Sequence, residues 1–302
     1  MKNESSNTTT VVTAWIFLLL ASGLPRIILQ EIFKYQVSGD LGAGIAAVVV
    51  VIGFALTFFW RAVQSLRPFF ILFIVLVGVE WFVFTKVDQL SFYQAWLKNP
   101  SFNVFMLADQ SLRLMVTLII IAALFILKKT SSAFFLVKGD TNALTEPVNW
   151  MGIKPGERWK QVGRNFSVIL SLGTLAFLIL AGRPPLDIAL RALPFLPAIL
   201  FAAMLNAFNE EMTYKASFLS VLEDVVGRNQ ALYLMAAYFG IGHFYGIPYG
   251  VIGVLMASFL GWFLGKSMLE TRGLGWAWFI HFWQDVLIFA FLAIGSITPG
   301  GG

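Results

Sequence analysis

The sequence has no cysteine, only two histidines and few charged residues. The absence of cysteine excludes disulfides, thiolate nucleophiles and cysteine-ligated zinc. Charged residues make up 12% of the 302 residues, whereas soluble domains usually contain about 25%. Hydrophobic residues reach 58% and the mean hydropathy is +0.79. These values exclude an ordinary soluble protein and predict an all-α fold, a polytopic transmembrane helix bundle.

Long apolar stretches predict eight or nine membrane spans, because a helix needs about 20 apolar residues to cross the hydrocarbon core. The first stretch is interrupted by Arg26 and Glu31. Its early part resembles a signal peptide, but we interpret it as part of a first span because many apolar runs follow. The candidate spans are 12–33, 41–60, 69–84, 112–127, 166–181, 192–208, 230–244, 247–264 and 274–294.

A polar segment divides the chain into three predicted regions. Residues 1–128 form an amino-terminal transmembrane bundle without an obvious reactive cluster. Residues 129–164 form a polar or amphipathic connection, with an interfacial helix expected near Trp159. Residues 165–302 carry the candidate chemistry.

The net charge of +5 does not indicate nucleic-acid binding, because no basic run is interleaved with aromatic residues. Lys and Arg instead collect in the cytoplasmic loops of membrane proteins. The basic residues gather in three loops, which predicts a cytoplasmic amino terminus: Arg61 and Arg67; Lys128, Lys129, Lys138, Lys154, Arg158, Lys160 and Arg164; Lys266 and Arg272. The expected setting is the lipid bilayer of a bacterial inner (plasma) membrane.

The first candidate motif is Asn-Glu-Glu-Met-Thr-Tyr-Lys at residues 209–215, at the end of an apolar stretch. On a helix, Glu211 and Lys215 lie four residues apart and can form an ion pair. Glu210 points about 100° away and stays free of that pair. The alternative is a helix end at the membrane interface, where charged residues are ordinary.

The second candidate motif runs from Phe239 to His243, in a region without charged residues between Arg228 and Lys266. A histidine inside a membrane segment is costly and often functional. Two glycines, Gly240 and Gly242, are expected where helices approach closely. The alternative is a histidine that only bonds to a neighbouring helix.

The third candidate motif is His281-Phe-Trp-Gln-Asp285. The spacing of four places the imidazole and the carboxylate on one helix face. Asp285 could then accept a hydrogen bond from one ring nitrogen and fix the tautomer of His281. The alternative is a buried structural pair.

Together, the three motifs resemble the CPBP family of intramembrane proteases, the CAAX-processing and bacteriocin-processing (Abi) group. That family shows Glu-Glu-x-x-x-Arg, then Phe-x-x-x-His, then His-x-x-x-Asn. The resemblance covers roughly residues 190–295. It implies that Glu210 and His243 hold and activate a water, and that His281 with Asp285 polarises the scissile carbonyl. Glu211, Lys215 and Phe239 would support the site structurally.

Two positions depart from the family pattern. Lys215 stands where arginine is usual, and it lacks the planar fork of arginine. Asp285 stands where asparagine is common. An ionised aspartate cannot donate a hydrogen bond to an oxyanion, so Asp285 must be protonated or serve to orient His281.

The expected function is an intramembrane endopeptidase without a cofactor, cleaving a membrane-associated peptide or protein near the cytoplasmic face. One alternative is a zinc-dependent protease, with Glu210, His243 and His281 as ligands, although the His-Glu-x-x-His spacing is absent. A non-catalytic scaffold or immunity protein of the same fold is a second alternative, and a transporter is a third. Convergence of the three motifs on one water-accessible cavity favours hydrolysis.

Overall fold

A computed structural model describes residues 8–98, 100–127 and 130–297. Throughout these residues the regular structure is helical, as the sequence predicts, and only two isolated β-bridges occur in the connection before α7. The helices are α1 Thr8–Ala21, α2 Leu24–Ile32, α3 Gly39–Phe59, α4 Arg61–Val87, α5 Ser91–Trp96, α6 Phe102–Ile126, α7 Trp159–Gly182, α8 Leu186–Val226, α9 Arg228–Gly242, α10 Val251–Thr271 and α11 Gly275–Ile297.

The helix lengths confirm a multi-pass membrane protein. Within the described residues, seven helices are long and apolar enough to cross a bilayer. An eighth span results if α1 and α2, which meet at an angle of 50°, count as one broken span. The lower predicted count of eight therefore agrees with the structure. The higher count of nine does not, because α9 has only 15 residues and is shorter than a full span.

The connection before α7 differs from its prediction. Residues 130–158 contain only one short helical turn, Asn149–Met151, and no interfacial helix. Trp159 is instead the first residue of the spanning helix α7, and its side chain is fully buried. Its indole donates to Glu270 Oε2 at 2.7 Å, which fixes the start of α7 against the end of α10. Lys128 and Lys129, and with them the predicted boundary at 128, lie outside the described residues.

Helix α8 continues well beyond the predicted span 192–208. It runs for 41 residues and carries the Glu210–Glu211 pair near its middle, not at a helix end. The helix adopts π-type turns over Glu211–Ala216 and then returns to α-geometry. Such local widening is frequent at functional sites. The interfacial-helix-end alternative for this motif is therefore wrong.

Close packing brings α9 against α10. A Cβ atom at Gly240 would lie 1.8 Å from Ser258 Oγ and 2.7 Å from the Val254 carbonyl oxygen, so only glycine fits there. The expectation for Gly240 is confirmed. The expectation for Gly242 is wrong, since a Cβ atom there would meet nothing within 4 Å. Because α9 approaches α10 at Gly240, the end of α9 that carries Phe239 and His243 is held at a fixed position.

Candidate active site

Two of the sequence motifs meet inside the bundle, where α8 packs against α11. His281 Nε2 lies 3.7 Å from Glu210 Oε2 and 3.5 Å from Asp285 Oδ1. The other ring nitrogen, Nδ1, lies 2.6 Å from Glu211 Oε1. One imidazole is thus surrounded by three carboxylates, although Glu210 and His281 lie on helices far apart in the chain.

The partner that orients His281 is not the one that its motif predicts. The spacing suggested that Asp285 fixes the tautomer, but the short hydrogen bond joins Nδ1 to Glu211. A carboxylate only accepts, so Nδ1–H must be the donor. Asp285 faces the opposite nitrogen, Nε2, at a distance longer than an ordinary hydrogen bond. Glu211 therefore sets the ring orientation, and its residue spacing from His281 gave no sign of this contact.

Glu211 also forms the predicted pair with Lys215, at 2.6 Å between Oε1 and Nζ. Both side chains are completely buried. The Lys215 ammonium lies 3.5 Å from the centroid of the Phe239 ring, a cation–π contact that further offsets its burial. Glu211 Oε2 is buried and has no hydrogen-bond partner among the described residues. An arginine fork could engage both oxygens, whereas this lysine engages one.

Glu210 is outside this ion pair, as the helix geometry predicts. Its side chain is 13% exposed, in contrast to the fully enclosed Glu211. It lines a narrow cavity of about 10 Å³ together with Arg113, Asn209, Thr213 and Tyr214, and with Phe84 and Val116. Glu210 is therefore the carboxylate of the motif that lies beside a space the size of one water molecule.

The second motif reaches the same cluster through Phe239. The His243 ring lies 4.4 Å from the Phe239 ring, and the His281 ring lies 6.4 Å from it, edge-on. His243 Nδ1 is 2.7 Å from the Phe239 carbonyl oxygen. Because a carbonyl only accepts, Nδ1–H is the donor and Nε2 is left as an acceptor. Phe239 therefore connects the ring of His243 with that of His281.

Sequence reasoning missed the contribution of α6, which belongs to the region predicted to lack a reactive cluster. Gln110 Nε2 donates to Asn206 Oδ1 at 3.1 Å, and Asn209 Nδ2 donates to Gln110 Oε1 at 3.3 Å. Thr117 donates to Asn209 Oδ1 at 3.1 Å. Arg113, also on α6, lines the cavity beside Glu210. A polar residue recurring every three to four positions through 109–117 was the available signal.

Asn206, one turn before Glu210, was also missed. Its side-chain nitrogen Nδ2 is 3.3 Å from Glu210 Oε1 and 3.1 Å from Asp285 Oδ2. This amide therefore connects the first motif with the third.

The geometry gives no support to the zinc alternative. Within residues 8–98, 100–127 and 130–297, no three His, Asp or Glu side chains are arranged to hold a metal ion. Glu210, His243 and His281 share one region but do not form such a group. The absence of a cofactor stays a prediction.

Comparison with known protein families gives one match, which covers about a third of the chain. Residues 192–287 match the family model described as Type II CAAX prenyl endopeptidase Rce1-like. This segment is similar to the CAAX-protease (CPBP) family. It contains all three motifs, from Glu210 to Asp285, and the resemblance that they suggested is confirmed. No curated protein and no solved structure matches the chain significantly. The family and the helices together indicate a CAAX-protease-like hydrolase in a multi-pass membrane protein.

Proposed function

We propose that this protein is an intramembrane endopeptidase in which Glu210 activates the attacking water. The observation that carries the proposal is the unequal use of two adjacent carboxylates. Glu211 is enclosed by Lys215 and His281, whereas Glu210 lines a small cavity and has its Oε2 atom 3.7 Å from His281 Nε2. A carboxylate that remains accessible beside an imidazole has the placement that a general base requires.

In this mechanism, Glu210 takes a proton from a water in the cavity while the water oxygen attacks the peptide carbonyl. His243 helps to hold that water, because its Nε2 is an acceptor once Nδ1–H donates to Phe239. The tetrahedral intermediate collapses when the C–N bond breaks. Glu210 then returns the proton to the leaving amine, so the carboxylate is regenerated in each cycle.

His281 is proposed to stabilise the oxyanion through Nε2. Glu211 holds Nδ1–H, so Nε2 can donate only when the ring is an imidazolium. Glu210 and Asp285 lie near Nε2, and their negative charges favour that cation. An imidazolium directed at a developing oxyanion in a water-poor site is an effective source of transition-state stabilisation.

The proposed substrate is a membrane-associated peptide or protein cleaved near the cytoplasmic face, in the inner membrane of a bacterium. The family name points to carboxy-terminal prenylated sequences as one substrate class. The buried position of the motifs on long helices agrees with a substrate that enters from the bilayer. The reaction is proposed to need no metal or other cofactor.

The experiment that tests this proposal compares peptides released from membranes containing wild-type protein, Glu210→Ala or Glu146→Ala. Glu146 is an exposed carboxylate that does not line the cavity, so its variant controls for the loss of a negative charge. We expect peptide ends that appear in the wild type and in Glu146→Ala but are absent in Glu210→Ala. Identical peptide profiles in all three membranes would contradict hydrolysis and favour the non-catalytic scaffold.

A further inference from the structure

Asn206 lies between the two carboxylates that face the reaction space, and no family motif includes it. Its Nδ2 is 3.3 Å from Glu210 Oε1 and 3.1 Å from Asp285 Oδ2. We propose that Asn206 supplies the carboxamide donor that Asp285, standing where the family commonly has asparagine, does not provide. This inference rests on the proposed hydrolytic function and adds a catalytic residue to it.

The orientation of the Asn206 amide follows from its third contact. Asn206 Oδ1 accepts a hydrogen bond from Gln110 Nε2 at 3.1 Å. Gln110 Oε1 in turn accepts from Asn209 Nδ2 at 3.3 Å, so the Gln110 amide is oriented as well. A flipped Asn206 amide would place its NH₂ against another NH₂ and its oxygen against two carboxylates. The network on α6 and α8 therefore directs both Nδ2 hydrogens towards Glu210 and Asp285.

A carboxamide between Glu210 and Asp285 can donate a hydrogen bond to the oxyanion without adding a negative charge. The peptide oxyanion forms next to His281 as Glu210 becomes neutral on taking the proton of the water, which leaves Asp285 as the second carboxyl group near Nε2. An ionised Asp285 would repel that oxyanion, and it has no hydrogen to donate. Asn206 is almost completely buried, so its N–H groups act in a region with little competing water.

In the proposed step, water attack forms the C–O bond and moves the carbonyl π-electrons onto oxygen. One Asn206 Nδ2–H bond then turns from a carboxylate to this oxygen, alongside His281 Nε2–H. The second Nδ2–H stays with Glu210 and keeps the base in place. Asn206 thus contacts the reacting atoms, whereas Gln110 only positions it.

The test is a rescue experiment on full-length protein in detergent or nanodiscs, with a substrate found by the membrane comparison above. Asn206→Ala should lower kcat about 100-fold with little change in KM, as for the loss of one oxyanion donor. Asn206→Ala combined with Asp285→Asn should regain at least about tenfold, since it restores a carboxamide on the opposite helix. In a Glu210→Gln background, Asp285→Asn should not restore any hydrolytic activity.

Two kinetic results would overturn the inference while leaving the hydrolytic function intact. Full activity in Asn206→Ala would mean that Asp285 is itself a protonated donor. A double variant no more active than Asn206→Ala would mean that Asn206 acts only structurally. Failure of the proposed function is a different result, namely wild-type protein without any hydrolysis that depends on Glu210.

Thermal unfolding gives a second readout that does not need a substrate. The four proteins of the Asn206→Ala and Asp285→Asn cycle should show non-additive midpoints, because Asp285→Asn removes a carboxylate that Asn206→Ala leaves without its amide partner. Additive midpoints would overturn the proposed partnership of Asn206 with Asp285. If Asn206→Ala does not fold, Asn206→Leu, which is closer in volume, replaces it in both measurements.

Discussion

Two groups of charged residues in this protein contain similar side chains but differ in the ratio of acidic to basic residues. The membrane-face cluster joins Glu146, Arg228, Lys266 and Glu270 where α9 and α10 meet the connection, and its two acids face two bases. The intramembrane cluster has three acids, Glu210, Glu211 and Asp285, against Lys215 and His281.

This difference indicates that the charges of the first cluster stabilise the fold, whereas those of the second take part in the reaction. In the membrane-face cluster, Glu270 is engaged by Lys266, Arg228 and the Trp159 indole, so its charge is compensated. The intramembrane cluster keeps one oxygen of Glu211 unpaired and leaves Glu210 beside a cavity. A carboxylate without a countercharge is energetically costly inside a membrane. Such residues are therefore usually found where they have a function. Matched variants of the two clusters should therefore behave differently.

The largest expected difference between the two clusters is in hydrolysis, and His281→Ala should show it. This change removes one of the two partners of Glu211 and also the imidazole near Glu210, so hydrolysis should fall about 100- to 1,000-fold. Glu270→Gln is the matched change in the membrane-face cluster and should leave the rate unchanged. Initial rates of hydrolysis of one substrate would show this difference between the two variants. Equal losses of rate in both variants would contradict it.

A large effect on stability is expected for Lys215→Met. The variant leaves Glu211 as an under-compensated, fully buried charge, which should cost about 3 kcal/mol of unfolding free energy. Lys215→Arg should be tolerated, because the arginine fork can also reach the unpaired Glu211 Oε2. Chemical unfolding in detergent measures both variants. An unchanged midpoint in Lys215→Met would show that the pair contributes nothing to stability.

A smaller loss of stability is expected for the corresponding lysine of the membrane-face cluster. In Lys266→Met, Glu270 keeps Arg228 and the Trp159 indole as partners, so the loss of stability should be smaller than in Lys215→Met. Hydrolysis should be unaffected. The same unfolding assay provides the comparison, and a loss as large as that of Lys215→Met would contradict the difference between the clusters.

The smallest expected effect is that of chelators. A reaction that uses only protein side chains predicts unchanged turnover in EDTA or 1,10-phenanthroline, and no stoichiometric zinc in the purified protein by elemental analysis. One tightly bound zinc per chain that disappears in His243→Ala would establish the metal-dependent alternative instead.

Much of this arrangement was predictable from short-range spacing. The pairing of Glu211 with Lys215 and the freedom of Glu210 follow from the helical period, and the bundle follows from apolar run length. The contact of Glu211 with His281 joins two helices. The spacing of residues along one helix cannot predict which residues of another helix lie nearby. The same reason hides Asn206 and Gln110, which are ordinary polar residues until packing brings them together. The end of the predicted span at 208 was wrong because charge was taken as a helix boundary, whereas the ion pair lets α8 continue.

Two neighbouring carboxylates are thus expected to have different roles. Glu210 acts as the general base, and Glu211 stabilises the structure of the site. Glu210→Gln and Glu211→Gln, measured side by side for hydrolysis rate and unfolding midpoint, test this expectation most directly. Glu210→Gln should lose about two to four orders of magnitude in rate and keep its midpoint. Glu211→Gln should lower the midpoint, because Lys215 loses the countercharge to its buried ammonium. A Glu210→Gln protein that hydrolyses substrate at a near-normal rate would contradict the account.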